Sequence, residues 1–128
     1  MAGCAVIVAG FGFRAAATVA SLTDAFCKAD GPGRAGALAT AADKADTAPF
    51  RLFAQTVALP THRIDASTLT RQDTVTRSNP AYIARGTGSV AEAAALAAAG
   101  PGAQLLAPRV ISRDGLATCA LAHRMDTP

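Results

Sequence analysis

The sequence predicts one α/β domain, a three-layer α/β/α arrangement around a mixed sheet with a parallel core and a C-terminal antiparallel hairpin. Three observations predict it. The uncharged run Cys4-Ala5-Val6-Ile7-Val8-Ala9 is continuously apolar, as in strands covered on both faces. Behind it, short apolar runs alternate with stretches whose apolar residues recur every three or four positions, the order of a sheet with crossover helices. Near the end, Asp114-Gly115 separates two apolar segments, and this dipeptide favours a tight hairpin. The 128 residues suffice for one core, so residues 1–122 are expected to form the domain and residues 123–128 a tail.

Residues 4–9 should be the central strand, ended by a tight turn at Gly10 and Gly12. Val19, Leu22 and Phe26 mark the buried stripe of a first helix over about 17–29, which Gly31-Pro32-Gly33 stops. Residues 36–40 read as a second strand. Pro49 stands where a first-turn proline belongs, with Phe50, Phe53, Ala54 and Val57 following at i, i+3, i+4 and i+7 of a second helix. Pro60 closes it, residues 61–65 form a third strand, and Ser67 with Leu69 suggests a brief helical turn. From 71 to 87 periodicity is lost and Asn79-Pro80 interrupts the chain, so this is the expected mobile loop. Ser89-Val90-Ala91-Glu92 is a capping box, in which the Glu92 carboxylate is expected to reach back to the cap's own N–H. It opens a helix over about 90–99 that Gly100-Pro101-Gly102 ends, and β segments at about 104–112 and 116–122 complete the hairpin.

Composition removes several function classes. Hydrophobic residues make up 51% of the chain and charged residues 16%, which argues against disorder. With no Trp, one Tyr and five Phe there are few platforms for nucleic-acid bases, and the net charge of +3 comes from scattered side chains with no basic run. A small anionic ligand suits this pattern, and nucleic acid does not. Glu92 interrupts the alanine-rich segment before it reaches the roughly 18 apolar residues of a membrane span. Residues 1–13 lack a positive n-region and are broken by glycines, so no export signal is read and a soluble, cytoplasmic protein is expected. Cys4, Cys27 and Cys119 are odd in number and far apart, which implies a reducing compartment; His62 and His123 show no ligand spacing, so neither a metal nor a cofactor is expected.

Three segments could meet an anion. Gly10-Phe11-Gly12-Phe13-Arg14-Ala15 matches G-x-G-x-x-A between a strand and a helix, where backbone N–H groups and Arg14 would favour a phosphate or carboxylate. The bland alternative is a glycine turn, and the chain is too short for a full dinucleotide-binding fold. Thr40 and Lys44 follow the second strand at its carboxyl end, where open sheets gather ligand groups; otherwise Lys44 is an exposed lysine beside Asp43 and Asp46. Gly86-Thr87-Gly88-Ser89 runs into a capped helix and again offers free donors, although capping alone explains Ser89 and Glu92. No Ser/His/Asp, Cys/His or paired-carboxylate arrangement stands out as a catalyst.

Taken together, Val8-Ala9-Gly10-Phe11-Gly12-Phe13-Arg14, Leu38-Ala39-Thr40 with Lys44-Ala45-Asp46, and Thr87-Gly88-Ser89-Val90-Ala91-Glu92-Ala93-Ala94-Ala95-Leu96, closed by Pro108-Arg109 and the Asp114-Gly115 hairpin, resemble the CobE family of cobalamin biosynthesis. The same pattern recurs as the C-terminal domain of CbiG, and the resemblance covers nearly the whole chain. Family members often carry Cys where Phe13 stands, Lys where Arg109 stands and Glu where Thr47 stands. Arg109 keeps the positive charge, whereas Phe13 and Thr47 remove a thiol and an acid, so no mechanism needing those two groups carries over.

The resemblance implies a role in making the corrin ring, with a precorrin or hydrogenobyrinic-acid-like tetrapyrrole as partner. Such intermediates are planar apolar macrocycles ringed by carboxylates, which dispersed cations and a glycine-lined crevice would suit. The expected ligand-binding residues are Gly10, Gly12, Arg14, Thr40, Lys44, Gly86, Thr87, Gly88, Ser89 and Arg109, with Arg85 as a further cation and Phe11 or Phe13 adding apolar contact. The leading expectation is a binding or carrier module that passes the intermediate between pathway enzymes. An alternative follows from CbiG-like proteins, which open a lactone on a cobalt-containing precorrin: a ring-modifying enzyme in which Thr87, Ser89 or Glu92 moves a proton. A third is a subunit that docks on another pathway enzyme.

Overall fold

The computed structural model describes residues 4–30, 33–78 and 87–126. Six strands form one mixed sheet: β1 (Cys4–Phe13), β2 (Ala37–Ala41), β3 (Thr61–Ile64), β4 (Gln104–Leu105), β5 (Val110–Ile111) and β6 (Ala117–Asp126). Their order is β3-β2-β1-β6-β4, with β5 also paired to β6. The β1/β2 and β2/β3 pairs are parallel and all pairs to β6 are antiparallel, so β1 is central where the apolar run placed it. Helices α1 (Val19–Ala29), α2 (Ala42–Ala45), α3 (Ala48–Val57), α4 (Ala66–Thr70) and α5 (Val90–Ala99) complete the described elements. None of the described helices is long and apolar enough to cross a membrane.

Two cores, one on each face of the sheet, make the layers. Leu22 and Ala25 of α1 and Phe50 and Phe53 of α3 pack with Ala9, Phe11, Leu38, Cys119 and Leu121. On the other face, Ala93, Ala94, Ala95 and Ala99 of α5 and Leu69 of α4 cover Val8, Ala37, Ala39, Ala41 and Ala122. Strand alternation sorts β1 between them: Val6 and Val8 meet the alanine helix, while Ile7, Ala9, Phe11 and Phe13 meet the phenylalanines. Burial, with a smaller contribution from Asp30, holds the Cys119 thiol well above its ordinary pKa.

Helix limits follow local chemistry. Thr18 and Ser21 cap α1 reciprocally, a box the spacing did not suggest, because its second member is a serine. Pro49 sits in the first turn of α3 as expected, and the helix ends on Ala58 in the left-handed region at φ 58°. Asp65 caps α4 by accepting from Thr68 N at 2.8 Å. The four-residue α2 lies in a stretch read as loop, too short for any periodicity to reveal.

Three expectations are corrected. The first strand does not stop at Ala9: β1 continues through Gly10 and Gly12 to Phe13, paired residue for residue with β6. Its backbone is therefore committed to the sheet, and no tight glycine turn forms there. The single segment expected over 104–112 is two short strands, because Pro108 has no N–H to donate and the intervening residues leave the ladder after Leu106 N bonds Leu121 O at 2.9 Å. Finally, β6 extends to Asp126, beyond Ala122 where the last strand was expected to end.

The β5–β6 turn is locked from inside and outside. Gly115 takes φ 76°, Ser112 N bonds Ala117 O at 2.8 Å, and Asp114 accepts from Ser112 Oγ at 2.6 Å, Ser21 Oγ at 2.5 Å and Leu116 N at 3.0 Å. Those donors, the Ser112 hydroxyl foremost, hold the Asp114 carboxyl at about 2 against an ordinary 3.8. A carboxyl depressed in the folded state stabilises fully above its unfolded value, and that stabilisation is lost as pH falls through the folded one. Asp114→Asn is therefore expected to flatten the loss of stability between pH 3.8 and about 2, measured as the urea midpoint against pH beside the wild type.

Candidate binding edge at the carboxyl ends of the strands

The parallel strands β1, β2 and β3 end on one edge at Phe13, Ala41 and Ile64. From β1 the chain reaches β2 and β3 through α1 and α3 on one face, then returns across the other face in α5 to build the β6 side. The connections thus diverge at β1, and open α/β sheets take ligands outside the carboxyl ends of strands at such a point. The first turn of α5 lies there. A Cβ on Gly12 would stand 3.2 Å from Val90 Cβ and 3.5 Å from Ala91 N, so only glycine's missing side chain separates the strand from the helix N-terminus.

The residues expected to bind divide into three groups. Gly10, Thr40 and Ser89 are buried and spent on the fold: α5 packs directly on Gly10, Thr40 Oγ1 donates to Phe11 O at 2.9 Å, and Ser89 Oγ accepts from Glu92 N at 3.3 Å. Gly88 joins them, since a Cβ there would overlap Thr76 O and Thr74 Oγ1. A second group faces the edge. Arg14 is exposed just past β1, its N–H bonded to Leu116 O at 2.9 Å, and Lys44 is half-buried with its ammonium 5.1 Å from the Phe13 ring centroid. Thr87, two residues before the helix cap, is 2% exposed, and among the described residues its hydroxyl finds no partner. The third group is Arg109, half-buried on the β6 flank, and Gly86 with Arg85, which lie outside the described residues.

Lys44 and Phe13 belong to the α1/α3 layer and Thr87 to the α5 layer, so these residues share an edge and approach it from opposite faces of the sheet. Asp46, the acid beside Lys44 in sequence, is occupied by a two-pronged pair with Arg63, whose hydrogen bonds lower its pKa. Phe11 is fully buried among Phe26, Phe50 and Phe53 and is not available to a ligand.

Glu92 departs most from expectation. Its carboxylate does not return to the helix cap. It is fully buried and accepts from Val75 N and Thr76 N at 2.8 Å through Oε1, and from Thr76 Oγ1 at 2.6 Å and Arg109 N at 2.9 Å through Oε2. The signal was present in the sequence: Val90-Ala91-Glu92-Ala93-Ala94-Ala95-Leu96-Ala97-Ala98-Ala99 is apolar on every side, hence buried, and its single carboxylate must then find donors inside the protein.

A cleft of about 590 Å³ lies at the other end of α5, lined by Gln72, Asp73, Val75, Leu96, Ala97, residues 100–103, Gln104 and Leu105. None of the residues expected to bind lines it. Its glycines and proline were legible only as a helix stop, and Val75, 63% exposed, sat in a segment without periodicity. Among the described residues no cluster of three or more His, Cys, Asp or Glu side chains could hold a metal ion.

Comparison with known proteins agrees with the fold. The crystal structure of CobE, a protein from the cobalamin (vitamin B12) biosynthetic pathway, superposes with a TM-score of 0.84 at 29% identity, over 98% of this chain and 96% of that one. Cobalamin biosynthesis protein chiG from Agrobacterium tumefaciens gives 0.70 at 32% identity, over 91% and 97% of the two chains. A cobalamin biosynthesis protein G homolog from Sulfolobus solfataricus shares the fold, with a TM-score of 0.68 at 20% identity over 92% of this chain and 36% of that one. None of the curated proteins matches the sequence. The family described as Cobalamin synthesis G C-terminus matches residues 7–122, and the chain therefore belongs to that cobalamin-biosynthesis family.

Proposed function

We propose that the chain binds a carboxylate-rich precorrin or corrin intermediate at the carboxyl edge of its sheet and passes it on within the cobalamin pathway. The observation that supports this reading most is the end of β1, where Arg14 and the Lys44 ammonium above Phe13 share the carboxyl edge of the sheet with the first turn of α5, which lies on the opposite face. Positive side chains and helix N–H groups favour carboxylates, and the exposed part of the Phe13 ring offers apolar contact to a macrocycle. Membership of a cobalamin-biosynthesis family supports a tetrapyrrole as the ligand class.

The enzyme alternative draws less from this geometry. The four hydrogen bonds that the described residues give the Glu92 carboxylate are structural and the group is shut off from solvent, which does not suit a general base. The test is titration with hydrogenobyrinic acid, followed by its visible absorbance and by co-elution. Arg14→Ala and Lys44→Ala should each weaken binding roughly 10-fold or more, the worth of one charge-assisted hydrogen bond. Absence of both co-elution and spectral change in the wild type would overturn the proposal.

A further inference from the structure

We infer that Glu92 is a positioning residue, which sets where Arg109 stands on the β6 flank of the binding edge by holding the 75–76 backbone and the Arg109 N–H against the first turns of α5. The inference rests on the binding reading above. Three stretches distant in sequence meet on this one side chain: α5 supplies the carboxylate, the irregular segment before it supplies Val75 N, Thr76 N and Thr76 Oγ1, and the connection between β4 and β5 supplies Arg109 N. The last two stretches contain no regular element at those residues, although Thr74 Oγ1 donates to Thr76 O at 3.0 Å and β5 begins at Val110. Ser78 N bonds Gly88 O at 2.8 Å and adds a second tie for the 75–78 stretch. For Arg109, the N–H is tied by Glu92, and the chain enters β5 opposite Cys119 one residue later.

A buried carboxylate suits this task because it accepts on both oxygens, and charge strengthens each bond. It also makes the two halves separable. In Glu92→Gln the remaining oxygen can keep Val75 N and Thr76 N, and the Thr76 hydroxyl can rotate to accept from the new amide. Arg109 N–H alone then faces another donor. The reverse orientation would set the amide against two N–H groups and is worse. Glutamine is therefore expected to release Arg109 while leaving the 75–76 side largely in place.

The experiment combines amide hydrogen exchange of the unliganded protein with titration of hydrogenobyrinic acid into the wild type, E92Q, R109A and the double variant. In E92Q, exchange at Arg109 should rise about 10-fold or more, with far smaller changes at Val75 and Thr76. Affinity should fall by about the same factor as in R109A, and the double variant should fall no further than R109A alone, because one effect acts through the other. Phe53→Leu, which loosens the core on the opposite face, controls for general destabilisation and should leave affinity within about twofold. Unchanged exchange at Arg109 in E92Q overturns the role of Glu92 whatever the ligand does. So do losses that add in full in the double variant, or E92Q affinity equal to that of the wild type. Failure of the wild type to bind overturns the binding reading, and is recognisable because the exchange pattern is read without ligand. If E92Q does not fold, Glu92→Asp, which keeps the charge and shortens the reach by one methylene, is held to the same outcomes for Arg109 exchange and for affinity, without the selectivity against Val75 and Thr76.

Discussion

Gly10→Ala is expected to lower the stability of the fold by about 3 kcal/mol, read as a drop in the urea midpoint without a change in slope. The added methyl would lie 2.5 Å from Ala95 N and closer still to Ala91 O, both backbone atoms of a helix that cannot swing aside alone. Helix α5 would have to lift off β1, opening the contact of Ala93, Ala94 and Ala95 with Val8 and Ala122. Interiors packed at crystal-like density do not absorb such a shift locally. A midpoint within experimental error of the wild type would show that α5 does not rest on Gly10.

Phe11→Ala, one residue on and facing the opposite layer, is expected to cost about 3–5 kcal/mol by the reverse route. Phe11 is fully buried and its ring lies 5.2 Å from Phe53, 5.7 Å from Phe50 and 6.0 Å from Phe26, centroid to centroid. Deleting it removes the common member of that aromatic group and leaves a cavity between α1, α3 and the sheet. The same urea titration measures it, and a loss below about 1 kcal/mol would mean that the surrounding phenylalanines collapse into the space. Adding a methyl at one residue and removing a ring at the next thus damage opposite faces of one strand.

Those two residues also show where reading the sequence succeeded and where it stopped. The apolar run at the start gave the central strand, and the spacing of Phe50, Phe53 and Val57 gave α3 with Pro49 in its first turn. Gly10 and Gly12 read as a turn because glycine after an apolar run usually ends a strand. Here the pattern Gly-Phe-Gly-Phe is strand alternation, with nothing on the face that meets α5 and a ring on the other. The distinction depends on what covers the strand, and that comes from residues some eighty positions away. Positions at the carboxyl edge of the sheet were partly legible: Arg14 and Lys44 follow strand ends, as the periodicity implied. The partners of Glu92 were not, because Val75, Thr76 and Arg109 lie in stretches with no periodicity to align them.

The pairing of β1 with β6 along ten residues sets the order in which the molecule can become whole. Cys4 meets Asp126 and Phe13 meets Ala117, so the central strand has one of its two neighbours supplied by the last described element. Contacts so far apart along the chain close slowly, since a long loop must be gathered before they form. Until then β1 presents an unpaired apolar margin on the side away from β2, a surface on which another nascent strand could settle. The arrival of β6 both finishes the sheet and hides that margin.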